Sequence, residues 1–316
     1  MSEVIVELCQ NHNGDKEILN KMIHAAKDAG VKFVKMQCIR SHELTHRKEF
    51  DEGIIYGGEA RMIKRPYAPE FERLKSIDVP DDTYAWFVEK CKSLNLEPMI
   101  TAFTKAQIPM LKEAGFKNLK IASYDCGSIP LLKSAKENFD FIVVSTGATY
   151  DSEIQAATQV LQGSNHALLH CVTIYPTPMQ EVHLKRIDYL KNFAPIIGFS
   201  DHSLVERDGI KASLAAFAYG AEFIERHFTI LEKDQSKDGP VSINSEQLKT
   251  LVEFGRLSLE ERKTRLKEYV SDEEYKIMLG QQTRSLSHAE LLNRAYYRGR
   301  FASKKEDGVV KYNWEE

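Results

Sequence analysis

Eight short runs of apolar and β-branched residues recur between residues 4 and 228, and amphipathic helical patterns separate most of them. The runs are VIVELC, VKFVKMQ, EPMITAF, KNLKIAS, FIVVSTG, HALLHCV, PIIGFSD and AEFIERHF. Buried parallel strands are nearly continuous apolar runs, and strands that alternate with helices are typical of parallel β/α architecture. Eight is also the number of strands that closes a (β/α)8 barrel. We therefore predict an α/β fold of the TIM-barrel type over residues 1–268.

A doubly wound open sheet is the competing arrangement. It would usually carry a glycine-rich fingerprint after its first strand, whereas the first run here leads into CQNHNGD. About forty residues separate the second and third runs, and a connection of that length is usually functional, so we predict a lid over the site. Residues 269–316 are too few for an independent domain and end rich in charge, which predicts a tail or a packing arm.

The composition argues against several classes of protein. A net charge of −3 is too small to indicate binding to nucleic acid or to a membrane surface. No apolar run reaches 18 residues, and the first residues lack the pattern of a signal peptide. The five cysteines are scattered without a C-x-x-C pair, which favours reduced thiols in the cytoplasm. Cys9 and Cys171 lie in predicted strands, where we expect small core residues.

Polar side chains lie at the carboxyl ends of the predicted strands, which is where barrel enzymes place their chemistry. Residues two apart in a strand face the same side, so Lys35 and Gln37 are predicted to point together. The candidate residues at these ends are Glu7, Lys35, Gln37, Thr101, Lys120, Ser123, Asp125, Ser145, Thr146, His170, Thr173, Tyr175, Ser200, His202, Glu225 and His227.

Two lysines, Lys35 and Lys120, sit inside strand patterns with apolar neighbours. Burying an unpaired ammonium group is costly, and two of them at one barrel mouth would repel each other. With serine hydroxyls expected at the same strand ends, a phosphate or carboxylate is a natural partner for both. The alternative is that Glu7 and Asp125 neutralise the lysines.

Two histidines, His202 and His227, end the seventh and eighth predicted strands. Side chains on neighbouring strands can reach one metal ion and leave positions open for water and substrate. Imidazole with oxygen ligands suits Mn²⁺ or a similar transition metal better than Mg²⁺. Asp201 and Glu225 are candidates to orient the imidazoles. The alternative is that both histidines are structural.

An ordered set of motifs resembles the sialic acid synthases, the phosphoenolpyruvate-condensing enzymes that make nonulosonic acids. The motifs are ELCQNHNGD, close to the family pattern E-I-G-x-N-H-x-G, and then VKMQ, KIASYD, VSTGA, LLHCVTIYPTP, GFSDHS and ERHFT. The resemblance implies condensation of phosphoenolpyruvate with N-acetylmannosamine or a related hexosamine, with release of phosphate. It also suggests a homodimer.

The same resemblance implies roles for individual residues. The implied metal ligands are His202 and His227, and the metal is Mn²⁺, with Mg²⁺ or Co²⁺ as alternatives. The implied phosphoenolpyruvate contacts are Lys35, Lys120, Ser123, Ser145, Thr173 and Ser200. The implied sugar contacts are Gln37, Tyr175 and Asp238. Glu7 or Asp125 is the candidate catalytic base for the attacking water.

Three departures from the family all concern the sugar. Thr173 stands where the family often has Asn, and the long second connection has no clear counterpart of the family's sugar-binding Asn. The family's antifreeze-like (SAF) domain, which donates an arginine to the partner's sugar site, is replaced by a short tail that resembles a truncated remnant. Arg294, Arg298 or Arg300 could supply that arginine.

Two other functions stay open on the sequence. The first is a phosphoenolpyruvate aldol synthase acting on a sugar phosphate, for which Arg61, Lys64 and Arg65 in the long connection could hold a second phosphate. The other is a non-catalytic sugar-binding relative, which would be expected to lose its strand-end residues.

Overall fold

Eight parallel strands form a closed barrel in the computed structural model, which describes residues 2–304 and 308–316. The strands are β1 (Glu3–Glu7), β2 (Phe33–Cys38), β3 (Glu97–Ala102), β4 (Asn118–Ile121), β5 (Phe141–Ser145), β6 (His166–Cys171), β7 (Ile196–Asp201) and β8 (Phe223–His227). Neighbouring strands follow the chain order, and β1 closes the ring by pairing with β8, with Glu7 opposite His227. The predicted barrel is confirmed.

A helix follows each strand and packs outside the barrel. These helices are α1 (Lys16–Asp28), α2 (Asp82–Ser93), α3 (Ile108–Glu113), α4 (Ile129–Asn138), α5 (Asp151–Leu161), α6 (Arg186–Leu190), α7 (Lys211–Tyr219) and α8 (Ser245–Arg256). Helix α1 shows why the sequence folds this way: the Asp15 side chain caps its first turn, and Leu19, Met22, Ile23 and Ala26 form one buried face. Within the described ranges, no helix combines the length and apolar character that a bilayer crossing requires.

The barrel interior divides into an apolar part and a polar part along its axis, and the residues that face it recur at every second position of each strand. In β1, Ile5 belongs to the lower, apolar layer and Glu7 to the upper, polar one; in β2, Phe33 and Lys35 divide in the same way. The apolar layer consists of Ile5, Phe33, Met99, Phe141, Val143, Ala167, Leu169 and Phe223. The strands therefore close one end of the barrel with hydrocarbon and turn polar groups to the other.

The long connection after β2 lies at the polar end of the barrel. It contains a 3-10 turn (Ser41–Glu43), two helices (Glu49–Glu52 and Tyr67–Lys75) and a hairpin of Ile54–Tyr56 with Glu59–Met62. Shorter elements elsewhere are a helix, Val205–Asp208, and 3-10 turns at Lys105–Gln107, Ser123–Asp125, Met179–Glu181 and Gly239–Val241.

The C-terminal segment packs across this same end of the barrel. After α8 come α9 (Leu259–Leu266), α10 (Asp272–Leu279), α11 (His288–Tyr297) and a pair of short strands, Ser303–Lys304 and Val310–Lys311. Asn293 donates a hydrogen bond of 2.7 Å to the Thr173 carbonyl, and Asn313 donates one of 2.8 Å to that of Phe103. The predicted boundary after residue 268 falls between α9 and α10, and the segment beyond it acts as a packing arm.

Candidate active site

A pocket of about 330 Å³ opens at the polar end of the barrel. Strand ends, the connection after β2, the loop after β8 and the C-terminal tail all contribute to its walls. The structure brings thirteen of the sequence-predicted site residues to this pocket: Glu7, Lys35, Gln37, Thr101, Lys120, Ser123, Ser145, Tyr175, Ser200, His202, Glu225, His227 and Asp238. Asp125 and Thr173 are not among its lining residues.

The two buried lysines share one carboxylate. Lys35 Nζ lies 3.5 Å from Glu225 Oε2, and Lys120 Nζ lies 3.4 Å from Glu225 Oε1. Lys35 also pairs with Glu7 and donates a hydrogen bond of 3.0 Å to Thr101. The alternative that acids neutralise the lysines is therefore realised in part, through Glu7 and Glu225 and not through Asp125.

This cluster shifts the proton affinity of its members. Burial alone would lower the pKa of Lys35, but attraction to Glu225 and Glu7 outweighs it and leaves that pKa raised. Burial and repulsion from Lys35 lower the pKa of Lys120 despite its carboxylate partner. Burial would raise the pKa of Glu225, yet the two ammonium groups hold it well below its usual range. Glu225 is therefore ionised in the folded protein and fixes both lysines toward the pocket.

A small cradle of hydroxyl groups lies beside the lysines. A Cβ placed on Gly147 would lie 2.4 Å from Thr173 Oγ1 and 3.0 Å from Ser123 Oγ. The hydroxyls of Ser145 and Thr173 are buried and have no hydrogen-bond partner among the described residues. Buried hydroxyls usually have partners, so these groups suit an oxyanion that would accept their hydrogen bonds.

Thr173 was predicted to contact phosphoenolpyruvate, and it is not among the residues that line the pocket. Thr173 is 1% exposed, and its hydroxyl lies close to Gly147, as does the Ser123 hydroxyl. Strand β6 ends at Cys171, so the inward and outward alternation no longer applies two residues later.

Asp125 was predicted as a base at the barrel mouth, and the structure places it elsewhere. Its carboxylate accepts hydrogen bonds of 2.9 Å from Ser128 and 3.0 Å from Asn313, and it is 3% exposed. Burial raises its pKa to about 6, although both hydrogen bonds oppose the shift. Because the chain turns into a 3-10 helix at Ser123–Asp125, Ser123 reaches the pocket and Asp125 rotates behind it.

The predicted metal ligands His202 and His227 are neighbours at the end of β7 and β8. Their ring centroids lie 5.1 Å apart, with the ring planes nearly perpendicular. His227 Nδ1 is buried without a hydrogen-bond partner among the described residues. Burial lowers the pKa of His202 well below its usual value, and His227 adds to this effect. A neutral imidazole with a free nitrogen is the form that binds metal ions.

A second set of ligand atoms converges on His227. One ligand-capable atom each from Cys9, His227 and Asp238 lie within 4.8 Å of one another. Cys9 was predicted to be a core residue and Asp238 a sugar contact, so the sequence did not anticipate this grouping. A thiol, an imidazole and a carboxylate are all donors that divalent transition metals accept. The residues present therefore fit a metal ion.

Asp201 was predicted to orient an imidazole, and the structure corrects this role. Its carboxylate lies 2.8 Å from Arg226 and accepts hydrogen bonds from Ser203 and Ser213, all of them on the outer side of the barrel. Glu225, which was given the same role, faces the lysines instead and accepts a hydrogen bond of 2.8 Å from Ser200.

Several lining residues were not predicted, or were named only for another function. Gln10, Tyr124, Lys237 and Tyr297 were missed, although Lys237 directly precedes the predicted Asp238. Of the candidate basic residues in the long connection and the tail, Arg65 and Arg300 line the pocket. The others pair elsewhere: Arg61 with Glu59, Lys64 with Glu52, and both Arg294 and Arg298 with Glu153.

Comparisons with known proteins agree with the sequence motifs. The profile of the NeuB family matches residues 22–264. An N,N'-diacetyllegionaminic acid synthase of Campylobacter jejuni is 31% identical over 262 residues, which are 78% of this chain and 73% of that protein. An N-acetylneuraminate-9-phosphate synthase of Drosophila melanogaster is 31% identical over 254 residues, 79% of this chain and 66% of that protein.

A solved structure extends the likeness to nearly the whole fold. The N-acetylneuraminic acid (sialic acid) synthetase of Leptospira borgpetersenii, solved with citrate, superposes with a TM-score of 0.69 at 28% identity. The match covers 93% of this chain and 90% of that one. The chain therefore belongs to the NeuB family of nonulosonic acid synthases.

Proposed function

We propose that this protein condenses phosphoenolpyruvate with the open-chain aldehyde of an N-acetylated hexosamine, such as N-acetylmannosamine, and releases inorganic phosphate. The product would be a nonulosonic acid, and a divalent metal, Mn²⁺ in the first instance, would be required. The observation that carries the proposal is that Lys35, Lys120 and the Ser145 hydroxyl, which has no hydrogen-bond partner among the described residues, line one pocket together with His202 and His227.

The anionic substrate fits the lysine side of the pocket. A phosphoester with a carboxylate carries charge at both ends, and the two ammonium groups can each approach one of them. Ser145 and Thr173 have hydroxyl donors without partners among the described residues. An oxyanion placed there would satisfy groups that otherwise lose hydrogen-bonding energy on burial.

The sugar would bind beside Tyr175 and Gln37, which line the same pocket. The Tyr175 side chain lies at the pocket edge with its ring centroid 4.3 Å from that of His202. Gln37 donates a hydrogen bond of 3.2 Å to Glu7, which keeps its amide beside the pocket. Aromatic faces and amides are suited to sugar rings and their hydroxyl groups. A bound divalent cation would supply Lewis acidity toward the aldehyde oxygen, with His202 and His227 among its ligands.

The residues of this chain would contribute mainly by position. Lys35 and Lys120 would hold phosphoenolpyruvate so that its C3 carbon faces the aldehyde carbon, since orientation of two reactants lowers the barrier substantially. Bond formation leaves cationic character at C2, to which a water molecule adds. Glu7 is the candidate acceptor of that water's proton, and loss of inorganic phosphate from C2 then gives the keto acid.

A test measures phosphate release from phosphoenolpyruvate with Mn²⁺ across candidate acceptors. N-acetylmannosamine, 2,4-diacetamido hexoses and hexoses without the acetamido group should be compared, with mass spectrometry to identify the product. We expect acceptor-dependent release and a nine-carbon keto acid. Absence of release with every hexosamine and every sugar phosphate would reject an enzymatic function and favour a sugar-binding relative.

A phosphorylated acceptor is the second candidate, and the pocket rim supports it. Arg65 and Lys237 line the pocket and are exposed, and two cationic groups could hold a second phosphate. The Drosophila relative is a synthase of a 9-phosphate. Assays of N-acetylmannosamine and of its 6-phosphate separate the two candidates by showing which sugar is used. If the phosphorylated sugar is the substrate, Arg65→Ala should raise KM for that sugar and leave KM for the unphosphorylated one unchanged.

A further inference from the structure

Cys9 lies at the end of β1, next to the two residues with which it could bind a metal. One ligand-capable atom each from Cys9, His227 and Asp238 lie within 4.8 Å of one another. Cys9 is fully buried and His227 is 7% exposed. We propose that Cys9 is a thiolate ligand of the divalent metal, together with His227 and Asp238, and that the site therefore prefers thiophilic ions.

The separation of these atoms is close to what one ion requires. Metal–sulfur bonds of about 2.3 Å and metal–nitrogen or metal–oxygen bonds of about 2.0–2.2 Å allow two ligands to be at most about 4.5 Å apart. The upper limit of 4.8 Å among the three atoms exceeds that value only slightly. Small side-chain rotations would bring all three atoms within bonding distance of one ion.

A second observation points to a ligand at this place. His227 Nδ1 is buried and has no hydrogen-bond partner among the described residues. Leaving a buried ring nitrogen without a hydrogen bond costs free energy. A metal ion bound at the imidazole would remove that cost. The neighbouring His202 differs in that its Nδ1 has a partner, the Cys171 sulfur at 3.8 Å.

The backbone presents the thiol at some conformational cost. Cys9 has a φ of 42°, in the left-handed region that non-glycine residues rarely occupy. In the motif ELCQNHNGD it stands where the pattern E-I-G-x-N-H-x-G has glycine, the residue that tolerates this conformation best. The Cys9 N–H donates a hydrogen bond of 2.7 Å to Glu7 Oε1, which helps to hold the residue in place.

The loop that carries Asp238 is also tightly fixed. Its carbonyl accepts hydrogen bonds from Val241 and from the Ser242 hydroxyl, the latter of 2.7 Å. A Cβ on the following Gly239 would lie 2.1 Å from the Lys233 carbonyl oxygen. The loop can therefore close only with glycine at that position, and this closure holds the Asp238 carboxylate beside His227.

The donor set alters the expected metal. Thiolate ligands favour Zn²⁺, Co²⁺ or Fe²⁺, whereas Mg²⁺ and Mn²⁺ prefer oxygen donors. On binding, the Cys9 thiol loses its proton to solvent and the sulfur donates an electron pair to the metal. This inference rests on the proposed function because His227 serves both, and it replaces Mn²⁺ with a thiophilic ion as the favoured cofactor.

Co²⁺ is the probe that tests this inference by a readout other than turnover. Protein stripped with a chelator is titrated with Co²⁺, and absorbance is recorded in the near ultraviolet, where thiolate-to-cobalt charge transfer occurs, and in the visible, where the bound ion itself absorbs. Wild type is compared with Cys9→Ser, with Cys9→Gly, and with Cys171→Ser as a matched control from the same pocket. Cys9→Gly suits the left-handed backbone and is expected to fold, which circular dichroism checks.

We expect the near-ultraviolet band in wild type and in Cys171→Ser, and its loss in both Cys9 variants. Affinity for Co²⁺ should fall at least about tenfold in the Cys9 variants and in Asp238→Asn. Visible bands without the near-ultraviolet band in wild type would overturn the role of Cys9 and leave the proposed function standing. The same band in Cys9→Ser, or wild type that binds no Co²⁺, would also overturn it, and the Mn²⁺ requirement of the proposed function would remain to be judged by phosphate release.

Discussion

Asn313 in the C-terminal tail donates a hydrogen bond of 3.0 Å to Asp125 beyond the end of the fourth barrel strand. The same side chain donates to the Phe103 carbonyl and accepts from the Lys105 N–H. A residue 188 positions away along the chain thus satisfies a buried carboxylate of the barrel.

Replacing Asp125 by Asn should change how stability depends on pH. Burial raises the pKa of Asp125 to about 6, so the folded protein binds more protons than the unfolded chain between about pH 4 and 6. In wild type this group therefore makes the free energy of unfolding fall as the pH rises from about 4 to about 6, by up to about 3 kcal/mol. Asp125→Asn keeps the acceptor oxygen and should remove this decline, as measured by urea unfolding from pH 4 to 7.

Asp140→Asn provides the control, because it makes the same chemical change at an exposed carboxylate. An Asp125→Asn profile parallel to that of Asp140→Asn would contradict the expectation. Phosphate release should persist in Asp125→Asn because the carboxylate lies outside the pocket.

Removing the tail contact should destabilise the protein. Asn313→Ala leaves the buried Asp125 carboxylate and the Phe103 carbonyl each short of one donor. A buried polar group without its partner costs about 1–3 kcal/mol, so the free energy of unfolding should fall by a similar amount. Asn192→Ala, which removes a local hydrogen bond to Tyr189, should change stability less; equal losses in the two variants would argue against a special role for the tail.

Glu225→Gln should make the thermal stability of the protein depend more strongly on bound anions. Gln retains the acceptor for Ser200 but leaves Lys35 and Lys120 with less negative charge around them. We expect a lower Tm without ligand and a larger rise in Tm on adding inorganic phosphate than in wild type, because the anion replaces the lost carboxylate. Glu222→Gln, at the other end of β8, serves as the control. Equal phosphate-induced shifts in wild type and Glu225→Gln would refute this account of the cluster.

Lys120→Met should weaken the use of phosphoenolpyruvate. The side chain keeps its apolar length and loses the charge that faces the pocket, so KM for phosphoenolpyruvate should rise at least about tenfold, or about 1.4 kcal/mol. Lys117→Met changes an exposed lysine just before the same strand and should leave KM unaltered. A rise in KM confined to the sugar would show that Lys120 serves the other substrate.

His227→Ala and His202→Ala should each abolish metal-dependent phosphate release while the fold is retained. Both imidazoles are candidate ligands, and loss of one typically reduces metal affinity by orders of magnitude. His170→Gln is the matched control, because His170 is buried in β6 but hydrogen-bonds to the Val182 carbonyl away from the pocket. Circular dichroism checks the fold, and full activity in either alanine variant would remove that histidine from the metal site.

The sequence predicted well those features that depend on strand periodicity. Lys35 and Gln37 face the pocket together because both lie within a regular strand, and Glu225 and His227 do so for the same reason. Where the chain leaves the strand, periodicity no longer predicts which side chains line the pocket: Asp125 in a 3-10 turn and Thr173 two residues past β6 are not among the lining residues.

Other features depended on contacts that no local pattern reveals. The left-handed φ of Cys9 turns its thiol toward the site, and a cysteine in a strand-like run gives no sign of that. Tyr297 and Arg300 reach the pocket only because the tail crosses the barrel mouth. Such contacts are set by the tertiary fold and not by the spacing of residues.

The tail that crosses the barrel mouth has a consequence for how this protein could diversify. Tyr297 and Arg300 form part of the wall, while the groups suited to the anion belong to the strands. Exchange of the last segment among related genes could thus give new acceptor preferences and leave the chemistry intact. For engineering, the C-terminal segment is the part of the pocket wall that could be exchanged without redesigning the barrel.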